Sequence, residues 1–364
     1  YDVIETVAAQ EWVKGGRVGM VGLSYPGISQ LYVARSNPPS LAAITPLSVI
    51  DDTYRGTLRP GGIYNNGFAA EWAESVLEEA DPYGQGWEED VVAQEEAGGG
   101  PSTCAANQVL RGQNQDILEL SRAIDWYDED FLYTVPQTFV DRIDVPVFLT
   151  GSWHDEQTGP HFANMIDEFT TEPLRVTMFN GTHADGFGPE TLPALNDFLD
   201  LYVAEEPPEM PAVVQTFGAV LFDLAYGWPL EPPPDRFSGM DHAEAKAAYE
   251  AEPPIRVVFE SGAGSATVGA PVGTYEAAFV QWPLTETEAT AWYLQPGGSL
   301  SREEPPADGG SSAYRFDPDA GGVTTFDGGS TEIFENLPEY DWPVPTDGTA
   351  VVFETPPLTE DTVL

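Results

Sequence analysis

A serine flanked by glycines, Gly22-Leu23-Ser24-Tyr25-Pro26-Gly27, follows the short apolar run Gly19-Met20-Val21 and precedes a helical stretch from Ile28 to Asn37. Gly-x-Ser-x-Gly between a strand and a helix is the pattern of a nucleophile elbow. A serine hydroxyl attacks a carbonyl only when it is held at an exposed point, beside a base, with donors ready for the oxyanion. A sharp strand-to-helix turn meets the first need. Gly22 and Gly27 remove side chains where strand and helix pinch together. Pro26 suits a first helical turn, and the new helix aims its free N–H groups toward the reacting carbonyl.

The base must be a histidine, and the sequence offers four: His154, His161, His183 and His242. His161 falls inside a helical stretch and His242 in a polar region that reads as surface. His183 follows an apolar strand, Leu174 to Phe179, in the loop Asn180-Gly181-Thr182. Loops at the carboxyl ends of strands are where α/β sheets place their chemistry, which selects His183. The same rule applies to the acid. The run Val145 to Thr150 ends in Gly151-Ser152-Trp153-His154-Asp155-Glu156, so Asp155 leads, with Glu156 as runner-up. Asp51 and Asp52 also follow an apolar run, Leu41 to Leu47, but come unusually soon after the serine. The chain order Ser24, Asp155, His183 is that of α/β-hydrolases.

These residues need a scaffold. Val3, Ile4, Val7, Ala8 and Trp12 share one helical face within Tyr1 to Trp12. Strand-like and helical runs then alternate, with helices expected over Gly159–Phe169 and Leu192–Val203, indicating a parallel sheet covered on both faces. Residues 1–60 and 134–206 read as this α/β core. Between them, 61–133 reads as a helical cap insertion with helices over Phe68–Glu79, Glu88–Glu96 and Gln108–Tyr127. From Glu205-Glu206-Pro207-Pro208 onward, short runs (Ile255–Glu260, Thr290–Leu294, Thr349–Glu354) between Gly- and Pro-rich turns suggest a β-sandwich over 207–364.

Charge narrows the partners. The 364 residues carry 14 basic and 60 acidic side chains, a net charge of −46, and the lysines are Lys14 and Lys246 alone. Such a surface repels nucleic acid and anionic membranes, so both drop out as partners, and the expected partner, a small-molecule ester or peptide substrate, follows from the elbow serine instead. It also points to a protein suited to high salt, where self-repulsion is screened. Cys104 is the single cysteine, so no disulfide forms within the chain. No metal or cofactor is expected: no His-Glu-x-x-His occurs, and Asp317-Pro318-Asp319-Ala320-Gly321 reads as a turn rather than a calcium loop.

The motifs carry a family likeness. Gly22 to Gly27, the Gly-x-Trp-x-Asp turn at Gly151 to Asp155, and Gly181-Thr182-His183 resemble the cocaine esterase and X-prolyl dipeptidyl-peptidase superfamily, the CocE/NonD hydrolases. Phe316-Asp317-Pro318 and Pro356-Pro357-Leu358-Thr359-Glu360-Asp361 resemble that superfamily's C-terminal jelly roll. The resemblance implies an α/β-hydrolase core, with Ser24 as nucleophile, His183 as base and Asp155 as its orienting acid. It also implies that the Tyr25 backbone N–H forms half of the oxyanion hole. In that superfamily a tyrosine hydroxyl from an earlier strand supplies the second donor, and Tyr1 does not match it. The likeness therefore implies a piece of a longer, exported protein, weakly active alone, with the end of the jelly roll also outside it. Trp153, beside the acid, is the leading pocket-wall residue, ahead of Trp72 and Tyr64. An ester or amide hydrolase is expected, with an X-Pro dipeptidyl aminopeptidase as one alternative. A non-catalytic chain that binds through its β-sandwich is the other.

Overall fold

A computed structural model describes residues 1–99, 103–113, 115–226, 230–259, 272–273, 275–285, 287–315 and 347–359. The chain divides into two units, Tyr1–Trp282 and Pro283–Leu364.

The first unit is built on one six-stranded sheet in the order β1-β2-β3-β4-β5-β6. Its strands are β1 (Val18–Leu23), β2 (Leu41–Leu47), β3 (Val147–Ser152), β4 (Leu174–Phe179), β5 (Ile255–Phe259) and β6 (Tyr275–Phe279). The first five run parallel and β6 is antiparallel to β5. β2 and β3 are buried at every position, as parallel strands covered on both faces must be. β1 lies at the edge, and Val21 is 48% exposed.

Alternate residues feed two cores. On one face Ile44, Leu149 and Met178 pack with Leu31, Phe139, Ile143 and Phe162. On the other, Leu47 and Phe148 pack with Leu195, Phe198, Leu201 and Tyr249. Helix α2 (Tyr25–Ala34) covers β1 and β2, burying Gly27, Gln30, Leu31 and Ala34. Gln30 is fully buried yet satisfied: its Oε1 accepts from the Thr45 N–H at 2.7 Å and its Nε2 donates to the Pro26 carbonyl.

The insertion is helical as expected: α3 (Phe68–Ala80), α4 (Trp87–Ala97), α5 (Thr103–Arg111) and α6 (Ile117–Ala123). The single helix expected over Gln108–Tyr127 is instead split. α5 ends before Gly112, and Asp116 caps a new helix by accepting the Glu119 N–H. The opening helix α1 (Asp2–Ala8) is shorter than its apolar face. The stretch Pro160–Glu168 winds as a 3-10 helix. It seats Phe162 over Gly151, where a Cβ would come within 2.3 Å of the ring.

The boundary expected at residue 207 moves. Residues beyond it form α8 (Ala212–Tyr226) and α9 (His242–Glu250), after α7 (Leu192–Leu199), and then add β5 and β6 to the central sheet. Ile255–Phe259 is therefore a sheet strand, not a sandwich strand. Its alternation is indistinguishable from a sandwich strand until its partner, β4, is known. In the second unit, β7 (Tyr293–Gln295) pairs antiparallel with β8 (Ser299–Ser301), and Leu300 N–H reaches the Glu354 carbonyl. Phe316-Asp317-Pro318, the turn at Asp317 to Gly321, and Glu360-Asp361 lie outside the described residues. No described helix is long and apolar enough to cross a membrane.

Candidate active site

Because β1 to β4 are parallel, their carboxyl ends share one rim of the sheet. That rim carries Ser24 after β1, Ser48 and Asp51 after β2, Asp155 after β3 and His183 after β4.

Ser24 sits at φ 63°, ψ −128°, a conformation costly for any residue with a side chain, by about 1–3 kcal/mol. Its N–H donates to the Leu47 carbonyl at 2.8 Å, and its own carbonyl accepts the Ile28 N–H at 2.7 Å. The elbow is held shut by close packing at its glycines. A Cβ on Gly22 would lie 2.5 Å from Pro26 Cβ, and one on Gly27 would lie 2.8 Å from the Gly22 carbonyl oxygen. Neither site tolerates alanine without opening the turn.

His183 begins the short 3-10 helix His183–Phe187, which lies against both β1 and β3. Thr182 and Asp185 form a reciprocal cap at its start, fixing the approach of the chain. The imidazole is 2% exposed, and its Nδ1 is 2.8 Å from Asp155 Oδ2. Asp155 is itself immobilised. Its Oδ1 accepts the Gln157 and Thr158 N–H groups at 2.9 and 2.7 Å, and its Oδ2 accepts the Thr158 hydroxyl at 2.5 Å. An aspartate that accepts from Nδ1–H leaves the lone pair on Nε2.

Among the described residues neither the buried Nε2 nor Ser24 Oγ has a hydrogen-bond partner. No hydrogen bond joins Ser24 Oγ to His183 Nε2. The oriented imidazole, with Nε2 unpartnered, stands on the same rim of the sheet as the strained serine at the start of α2.

The rival residues are engaged elsewhere. His154 and His161 are exposed, and His242 Nε2 is 2.9 Å from the Leu201 carbonyl. Asp52 caps the following turn through the Tyr54 and Arg55 N–H groups. Asp51, 3% exposed, accepts from Asn164 at 3.0 Å, and burial raises its pKa. Glu156 accepts the His183 backbone N–H at 3.0 Å instead of facing the ring, and burial raises its pKa as well.

The tryptophans named from the sequence lie in different surroundings. Trp153 is half-buried and packs against Phe162 and Trp282 at the margin of the core. Trp72 of α3 is the tryptophan that meets the elbow, its ring 5.9 Å from that of Tyr25, which is 64% exposed. Sequence reasoning assigned no role to Thr158 and Ser48. An aspartate followed three residues later by threonine is a turn signature that points to Thr158. Ser48 carries no such signal; its Oγ donates to the His183 carbonyl at 2.8 Å.

A mostly parallel sheet covered by helices, with an elbow serine and an Asp–His pair on its carboxyl rim, defines an α/β-hydrolase fold. Within that class, residues 1–185 match the profile of the X-Pro dipeptidyl-peptidase (S15) family, and the chain belongs to it. Residues 247–364 match the X-Pro dipeptidyl-peptidase C-terminal non-catalytic domain. Among solved structures, a CocE/NonD family hydrolase from Staphylococcus aureus superposes with a TM-score of 0.54 at 19% identity over 83% of this chain. An α-amino acid ester hydrolase is also similar, at 15% identity and a TM-score of 0.46 over 87% of this chain. The chain spans 41% of the first of these proteins and 48% of the second. No curated protein matches the sequence.

Proposed function

We propose that the protein is a serine hydrolase that opens ester or amide bonds of small molecules or peptides through an acyl-enzyme. Ser24 is the nucleophile, His183 the base and Asp155 the group that fixes the imidazole. His183 Nε2 takes the Ser24 hydroxyl proton as Oγ bonds to the carbonyl carbon, then passes it to the leaving group as the tetrahedral adduct collapses. Water repeats the cycle on the acyl-enzyme. The Tyr25 N–H, at the start of α2, is one oxyanion donor.

The observation that carries this reading is the buried Asp155–His183 pair, with Nε2 left free on the rim that bears the strained serine. Esters are the favoured substrates, because an alkoxide leaving group needs less protonation than an amine. Cleavage after X-Pro is the second reading, favoured by the family profile over residues 1–185. A panel of p-nitrophenyl esters and X-Pro p-nitroanilides, tested on the full-length polypeptide, separates the two. Turnover that survives Ser24→Ala would sink both.

A further inference from the structure

Two consecutive carboxylates on one loop grip the two ends of His183. Asp155 holds the ring through Nδ1, and Glu156 holds the main chain by accepting the His183 N–H at 3.0 Å through Oε2. The other main-chain polar group of the same residue is held too, since Ser48 Oγ donates to the His183 carbonyl at 2.8 Å. Thr150 Oγ1 then donates to the Gly186 carbonyl at 3.1 Å, one turn further on. Gly186 lies so close that a Cβ there would be 2.8 Å from Thr150 Oγ1. The main chain at His183 is therefore tied to both the Asp155–Glu156 loop and the segment after β2.

We propose that Glu156 is a positioning residue for His183: with Ser48 it clamps the histidine's backbone so that the Asp155-held ring presents Nε2 to Ser24. This rests on His183 acting as the base. Glu156 Oε1 is bonded to Gln157 Nε2 at 3.2 Å, so the carboxylate is oriented before it meets the histidine. Its titratable neighbours are Asp155 on its own loop and His183 across from it. Only an acceptor is needed at this place. Glutamine supplies one with its carbonyl oxygen, and the Gln157 amide can turn to match. Leucine supplies none.

The test uses the full-length polypeptide and three variants, Glu156→Gln, Glu156→Leu and Ser48→Ala, each compared with the parent for kcat, KM and melting temperature. A misplaced base lowers kcat without weakening substrate binding. Glu156→Leu is expected to lose about 10- to 100-fold in kcat at unchanged KM. Glu156→Gln is expected to stay within about threefold of the parent, since it keeps the bond and loses only its charge assistance. Ser48→Ala lowers kcat in the same way and tests the clamp should the leucine variant misfold. The proposal is overturned if Glu156→Leu keeps the parent kcat, or if Glu156→Gln falls as far as Glu156→Leu. The His183 Nδ1 proton resonance keeps this result separate from the catalytic assignment. Faster exchange in Glu156→Leu and Ser48→Ala reports a loosened histidine whether or not Ser24 is the nucleophile, and unchanged exchange in both overturns the clamp.

Discussion

Replacing Asp155 with asparagine is expected to abolish turnover while leaving the fold intact, and the hydrogen bonds around it explain why. Oδ1 accepts two main-chain N–H groups, from Gln157 and Thr158, whereas Oδ2 faces His183 Nδ1 and the Thr158 hydroxyl. Asparagine must keep its oxygen at the Oδ1 position. Reversed, its NH2 group would oppose two main-chain donors in a buried site, at about 1–3 kcal/mol for each group left unsatisfied. Its NH2 group therefore points at His183 Nδ1. That nitrogen must then accept, which moves the proton to Nε2 and removes the base. The same substitution in the triad of another serine hydrolase lowers kcat by about 10⁴-fold, equivalent to ~5.4 kcal/mol of barrier. The assay is ester turnover by Asp155→Asn beside the parent, with melting curves for both. A variant within tenfold of the parent kcat would refute the tautomer argument.

Further outcomes follow from the packing and the charge. Gly22→Ala places a Cβ 2.5 Å from Pro26 Cβ; urea unfolding is expected to show a loss of about 1–3 kcal/mol, and ester turnover should fall with the elbow's geometry. Asp51 has its pKa raised by burial, so the folded state holds its proton more tightly than the unfolded state. Its contribution to stability therefore falls as pH rises from the ordinary carboxylate range through the raised value. Asp51→Asn removes that dependence, so its stability relative to the parent should climb with pH across this window and then level off; a flat difference in pH-dependent urea melts would contradict the assignment. With a net charge of −46, the melting temperature is expected to rise between dilute buffer and molar salt. A constant value would show that self-repulsion is unimportant.

Local chemistry was legible in the sequence where a turn has few solutions. Gly22, Pro26 and Gly27 announce a strand–serine–helix turn because no other residues fit so tight a pinch. His183 and Asp155 meet because parallel strands deliver the loops that follow them to one rim. Long-range choices were not legible. Ile255–Phe259 alternates as well for a sandwich as for a sheet edge, and only its pairing with β4 decides. Trp153 sits near Asp155 in sequence and its ring meets Phe162, while Trp72 reaches Tyr25 of the elbow from the insertion, a contact no local pattern encodes. Glu156 looked like a spare acid. Its role depends on the main-chain direction of a segment 27 residues away, which no local pattern encodes.

The most direct test of the hydrolase assignment is covalent. The full-length polypeptide is treated with a fluorophosphonate, and the modified peptide is mapped by mass spectrometry. The expected result is one adduct, on Ser24, absent in Ser24→Ala and formed far more slowly in His183→Ala. An adduct on another residue, or none, would contradict it.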